Sequence, residues 1–159
     1  MPSSTSSNIR ASNTVVKLSS EGGNRLMVQI ASAQIAPPGL SAGDAIYYSG
    51  ASAYYKRSKA DDPATAEVFG IVETVDVSGN ANVVLYGSIG LTGFINVDDG
   101  GAGGHDIYFL SGNTAGKLES LAPTNQDYIV KPVYQVAPHG NFTGTVVNYI
   151  GYKVPVSES

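Results

Sequence analysis

Apolar and polar residues follow a short period along most of this chain. In "NRLMVQIASAQIA" (24–36), Leu26, Val28 and Ile30 alternate with Met27, Gln29 and Ala31, the spacing of a strand with one buried face. "TVVKLSS" (14–20) lies just upstream, and "EGGN" between the two is a turn signal, so the pair is expected to form a β-hairpin. Further strands are expected at 45–50, 67–77 and 81–89, then at 106–112, 127–137 and 144–154. "VSGNAN" (77–82) and "APHGNFTG" (137–144) have the composition of hairpin turns. Pro132 falls inside one expected strand; having no N–H to give to a ladder, it marks a bend, a bulge or an edge. Capped segments with a 3.6-residue apolar period are hard to find, and 19 Gly and 8 Pro interrupt nearly every stretch. The pattern predicts an all-β fold.

The strands come in two related sets. "GDAIYYSG" matches "GHDIYFLSG", "FGIVETV" matches "KPVYQV", and "VVLY" matches "VVNY". The offset is about 61 residues, too long a period for a solenoid of short units. An internal duplication of one β-unit follows, covering about 43–90 and 104–153. Two such units are expected to close around one core as a β-barrel or β-sandwich. The domain organisation is then an N-terminal arm (1–13), one β domain (14–154) and a C-terminal tail (155–159).

Composition narrows the function. The 159 residues suffice for one domain, which at this size buries roughly 70% of its unfolded surface. There is no Cys, which excludes disulfides, thiolate ligands and a Cys nucleophile. "MPSSTSSNIRASN" lacks the basic and apolar regions of a secretory signal, and no apolar run is long enough to span a membrane. A soluble, unexported product is expected. The net charge of −4 offers no basic stripe for phosphates, so no nucleic-acid partner is expected. Charged residues make up only 14%, against about 25% in an average soluble domain. Such a surface suits a chain that lies against neighbours.

The densest candidate chemistry is "DDGGAGGHDIYFLSG" (98–112). A phosphate loop needs Gly-rich sequence between a strand and a helix, usually with a Lys; this stretch has no Lys and leads into a strand. Asp98, Asp99, His105 and Asp106 are oxygen and nitrogen donors that a cation could use. The plainer reading is a solvated acidic turn, and the duplication favours it. The matching stretch 37–50 keeps Gly43 and Asp44 without the His or the acidic pair. Gly43 and Gly104 fit sharp turns, and Asp44 and Asp106 fit bonds to nearby backbone N–H groups. No G-x-S-x-G elbow occurs, and nothing singles out two carboxylates for glycoside cleavage. His139 lies in an expected turn. No enzyme activity, cofactor or resident metal is expected.

Ten Tyr against no Trp make tyrosine the prominent side chain. Most lie in or beside expected strands, which suits either half-buried packing or a contact surface. "YYKRSK" (54–59) is the leading contact candidate, through Tyr54, Tyr55, Lys56 and Arg57. Pro2, Ile9 and Arg10 in the Ser-rich arm are expected to clamp adjacent chains.

"IYFLSGNTAGKLES", followed by "KPVYQVAPHGNFTGTVVNYIGY", resembles a module of virion structural proteins of tailed bacteriophages, including cyanophages. "EVFGIVETV" in the first unit resembles an earlier strand of the same module, and the likeness spans about 43–153. The resemblance implies a non-enzymatic all-β particle component of the capsid-decoration (cement) type. It would coat the outer capsid surface as a symmetric oligomer, a trimer by family habit, with the major capsid protein as partner. It would be made in the host cytoplasm and end in the virion. The alternative it implies is a tail or fibre component that binds the host surface.

Overall fold

The computed structural model describes residues 6–11, 14–19, 25–91, 107–139 and 142–155. The protein is nearly all β, a curled antiparallel sheet that forms a half-barrel. Its strands are β1 (Ser6–Ala11), β2 (Thr14–Ser19), β3 (Arg25–Ile30), β4 (Ala45–Ser49), β5 (Tyr54–Arg57), β6 (Gly70–Val75) and β7 (Ala81–Ile89). They continue with β8 (Ile107–Leu110), β9 (Leu118–Glu119), β10 (Ile129–Val130), β11 (Pro132–His139), β12 (Phe142–Val146) and β13 (Tyr152–Lys153). Eleven strands share one sheet, while β10 and β13 form a separate pair.

The expected hairpin from 14 to 36 is present as β2–β3, in register from Thr14↔Ile30 to Ser19↔Arg25. Its second strand stops at Ile30; Ser32–Gln34 make one 3₁₀ turn, and Ile35 bridges Tyr55. Within the expected N-terminal arm, Ser6–Ala11 pair with β2 as an edge strand of the same sheet. The strand expected over 127–137 breaks at Lys131 into β10 and β11, which belong to different sheets. Pro132 sits at this break, and the β8–β11 register shifts between Pro132 and Tyr134, the bulge that a residue without an N–H favours. The strand expected over 144–154 ends at Val146. Asn148 beyond it has φ 44 and donates its amide to the Val68 carbonyl (2.7 Å), turning the chain before it resumes as β13.

Pairing follows the same order in the two sets of strands. β4 pairs with β5 and β6, and β6 with β7. β8 pairs with β9 and β11, and β11 with β12. β7 joins the sets. One edge of β7 carries β3; the other carries β6 along Ala81–Val84 and then β12 along Gly87–Ile89. The switch coincides with an extra residue, Leu85, in the register with β3 and with a left-handed Gly87 (φ 97). A bulge followed by glycine bends a strand so that it can leave one neighbour for another.

The sheet is buried on both faces where β4, β6 and β7 meet. Ala45, Ile71 and Val84 join one core cluster with Leu110, Leu118, Val133 and Val146. Their immediate neighbours Ile46, Val72 and Val83 join a second cluster with Val28, Ile30 and Tyr55. Successive residues of a strand point to opposite faces, which explains the adjacent apolar pairs Ile71–Val72 and Val83–Val84. A sheet covered on both sides has no polar face to alternate with.

The β6–β7 turn is built by Asp76. Its carboxylate accepts the backbone N–H groups of Ser78 and Asn80 (both 2.9 Å) and the Asn80 amide (3.0 Å), and Gly79 takes φ 86. These bonds, those from Asn80 foremost, hold the Asp76 carboxyl below the usual aspartate value. A depressed folded-state pKa adds stability above the ordinary aspartate range, and this is lost as pH falls through the folded value. Asp76→Ala is therefore expected to lower the urea midpoint at neutral pH, and the gap from wild type should close on acidification. A gap that stayed constant down to acid pH would contradict this account.

Candidate interaction surface

The residues of "YYKR" separate once folded. Tyr54 is 39% exposed, whereas Tyr55 is buried. The Tyr55 ring lies between Tyr48 and Phe69, with centroids 5.1 Å from each. Lys56 is half-buried opposite Tyr47. Arg57 turns back into the chain, its Nε donating to Asp44 Oδ2 at 2.8 Å. Ile9 and Arg10 lie on β1, paired with Val16 and Val15. Pro2, Asp98, Asp99, His105 and Asp106 lie outside the described residues, as does Gly104. Among the described residues no group of three or more His, Asp or Glu is placed to hold a metal.

Asp44 does what its turn position predicts and more. Its carboxylate accepts the Ser41 N–H (2.8 Å) beside left-handed Gly43 (φ 91). The same oxygen holds Arg57 in an ion pair whose carboxylate side is 3% exposed. A charge so buried needs its partner. Arg57 keeps 30% of its side chain in solvent, so losing the pair costs less than the about 3–5 kcal/mol of a fully buried one. Asp44→Ala is expected to cost about 2 kcal/mol, read from the urea midpoint at unchanged m-value.

Ser111 and Glu119 are the other prominent buried polar residues. Ser111 Oγ donates to Glu119 Oε1 (2.9 Å) and accepts the N–H groups of Asn113 (3.0 Å) and Thr114 (3.1 Å). Asn113 adds a second donor to the same Glu119 oxygen (3.0 Å). The hydroxyl is thus engaged in shaping the β8–β9 turn. Nothing in "LSGNT" or "KLES" marked this pair beforehand; the register Phe109↔Glu119 reveals it.

The exterior is where the tyrosines divide. Tyr108 and Tyr134 are buried, their rings edge-to-face at 6.0 Å, and burial raises the Tyr134 phenol above its ordinary pKa. Tyr48, Tyr54, Tyr86, Tyr149 and Tyr152 turn to solvent, joined by Leu121 and by Ile150, which is 93% exposed. Strand alternation decides the difference inside β4 and β7; the turn at Asn148 sets it for Tyr149 and Ile150.

Two open clefts indent this surface, each about 330 Å³. One lies between Pro63, Glu67, Ile129, Lys131 and Ile150. Burial pulls the Lys131 ammonium below its ordinary pKa, with the Glu67 carboxylate acting in the opposite sense. The other is lined by Leu121, Ala122 and Pro123 together with the polar Asn113, Glu119, Thr124 and Asn125 and with Tyr128. Both are shallow hollows with mixed apolar and polar walls, a geometry suited to contact with another surface.

No protein-family model matches the chain, and neither a curated protein nor a solved structure does. Among the described residues no helix is long and apolar enough to cross a membrane. Fold and surface together define a β half-barrel with an aromatic exterior.

Proposed function

We propose that this chain is a capsid-decoration protein of a tailed bacteriophage. It binds the outer face of the shell as a symmetric homo-oligomer, a trimer by the habit of the family it resembles, and contacts the major capsid protein. The observation that carries this reading is the exterior: a chain with 14% charged residues turns five tyrosine rings to solvent. Tyrosine supplies apolar area with a polar rim at low entropic cost, and is enriched where proteins meet. The sequence pattern described above points to the same class. Many modest contacts repeated over a shell add through multivalency, which stiffens it without any chemical step.

The test is reconstitution on shells of the encoding phage stripped of the protein. Added protein is expected to bind their outer surface and to raise the temperature at which they rupture. Binding to host cells with no effect on shells would overturn this reading in favour of a tail or fibre role.

A further inference from the structure

The main sheet ends at three strands, β1, β5 and β9, and two of these ends are covered or short. On the outer side of β5, Ile35 bridges Tyr55 in parallel, and the Ala36 N–H donates to the Tyr55 carbonyl (3.1 Å). β9 is only two residues long. β1 is different. Ser6–Ala11 pair with β2 along their whole length without a register shift, and among the described residues no strand lies on the other side. Sheets blunt such an edge with Pro, Lys, a bulge or a covering segment. β1 contains no Pro, no Lys and no bulge.

Register shows which groups this edge offers. Two residues separate the closing pair Ala11↔Thr14, and in a hairpin with a two-residue loop the closing pair exchanges both its hydrogen bonds. Bonded and unbonded pairs then alternate. Ala11, Ile9 and Ser7 bond β2, while the backbone N–H and C=O groups of Arg10, Asn8 and Ser6 face outward.

We infer that β1 of one copy pairs antiparallel with β1 of a second copy, about a two-fold axis at Asn8. This register sets Asn8 opposite Asn8 and Arg10 opposite Ser6. All three outward residues then form bonded pairs, each exchanging two bonds, and no like charges meet. An axis at Arg10 would set the two arginines against each other, and one at Ile9 would leave Ser6 outside the ladder. The interface is isologous, the same strand edge serving both copies. This inference rests on the homo-oligomer in the proposed function and adds how copies are joined. A two-fold contact does not itself close a trimer; it ties one trimer to another.

Asn8↔Lys17 is an unbonded pair of the β1–β2 ladder, so N8P removes an outward donor and leaves the bonds to β2 in place. In sedimentation of the purified full chain, wild type is expected to contain an even number of copies and N8P half that number. An odd number, or one that N8P leaves unchanged, overturns the pairing. Loss of shell binding by N8P at an unchanged number would give the edge to a strand of the shell instead. A second measurement avoids proline. The chain has no Cys, and Asn8 residues paired in this way have Cα atoms about 5.5 Å apart, within disulfide reach. With oxidised glutathione, N8C is expected to give disulfide dimers at roughly tenfold the yield of S6C, whose thiols the same register keeps about 13 Å apart or more. Equal yields overturn the contact. If wild-type protein still binds shells in that case, the decoration reading survives; cross-linking of N8C without shell binding by wild type removes that reading and keeps the contact.

Discussion

Gly144→Ala is expected to destabilise the protein by about 3 kcal/mol or more, the upper range for overpacking a close-packed site. Gly144 lies on β12 opposite Val136 and Ile89, under the ring of Tyr134. A Cβ there would overlap the Tyr134 hydroxyl and stand 2.5 Å from the Gln135 carbonyl oxygen. The ring is held by burial at 2% exposure and by its edge contact with Tyr108, so it has little room to withdraw. Tyr134→Phe in the same chain should not rescue it, because the Gln135 carbonyl belongs to the backbone. At about 2–4 °C per kcal/mol for a chain of this size, a Tm lower by about 10 °C is expected. An unchanged Tm would mean that β11 and β12 are not packed as described.

Leu110→Ala and Tyr48→Ala form the second prediction, and the contrast is the point. The two residues hold matching positions at the ends of β8 and β4. Leu110 is fully buried in the cluster with Leu118 and Val133, while Tyr48 is 51% exposed and rests on Tyr55. Truncating a buried Leu removes transfer energy and leaves a cavity, about 3 kcal/mol within a usual range of about 2–5. Truncating Tyr48 forfeits chiefly one aromatic contact, about 1 kcal/mol. Urea denaturation of both variants at low protein concentration should therefore show a large loss for the smaller side chain and a small loss for the larger. Equal losses would place Tyr48 in a core it does not occupy here.

What could be read beforehand was local chemistry. Turn residues with a fixed backbone task were legible: Gly79 between β6 and β7, Gly43 before β4, and Pro132 as a bend, a bulge or an edge; Asp76, inside the strand expected over 67–77, was not. The breaks at Lys131 and Asn148 were not. Pro132 signals an interruption but not a change of sheet, and around Asn148 both sides are apolar and β-favouring; the chain divides because β10 and β13 pair with each other. Tertiary pairing of that kind leaves no mark in a window of ten residues. The interaction surface was half legible for the same reason. "YYKR" reads as one patch, yet alternation buries Tyr55, and Asp44, distant in sequence, draws Arg57 inward. Ile150 and Leu121 looked like ordinary strand and loop residues; their exposure comes from where Asn148 and the β9 end direct the chain.

The bend at Leu85–Gly87 couples the fates of the two sets of strands. Because β7 gives its first stretch to β6 and its last to β12, neither set has a complete border of its own. A fragment ending after β7 would leave the β12-facing edge of Gly87–Ile89 as raw, unpaired backbone, ready to recruit a strand from any passing chain. The whole polypeptide should therefore melt in one transition, and partial products of synthesis or cleavage should clump.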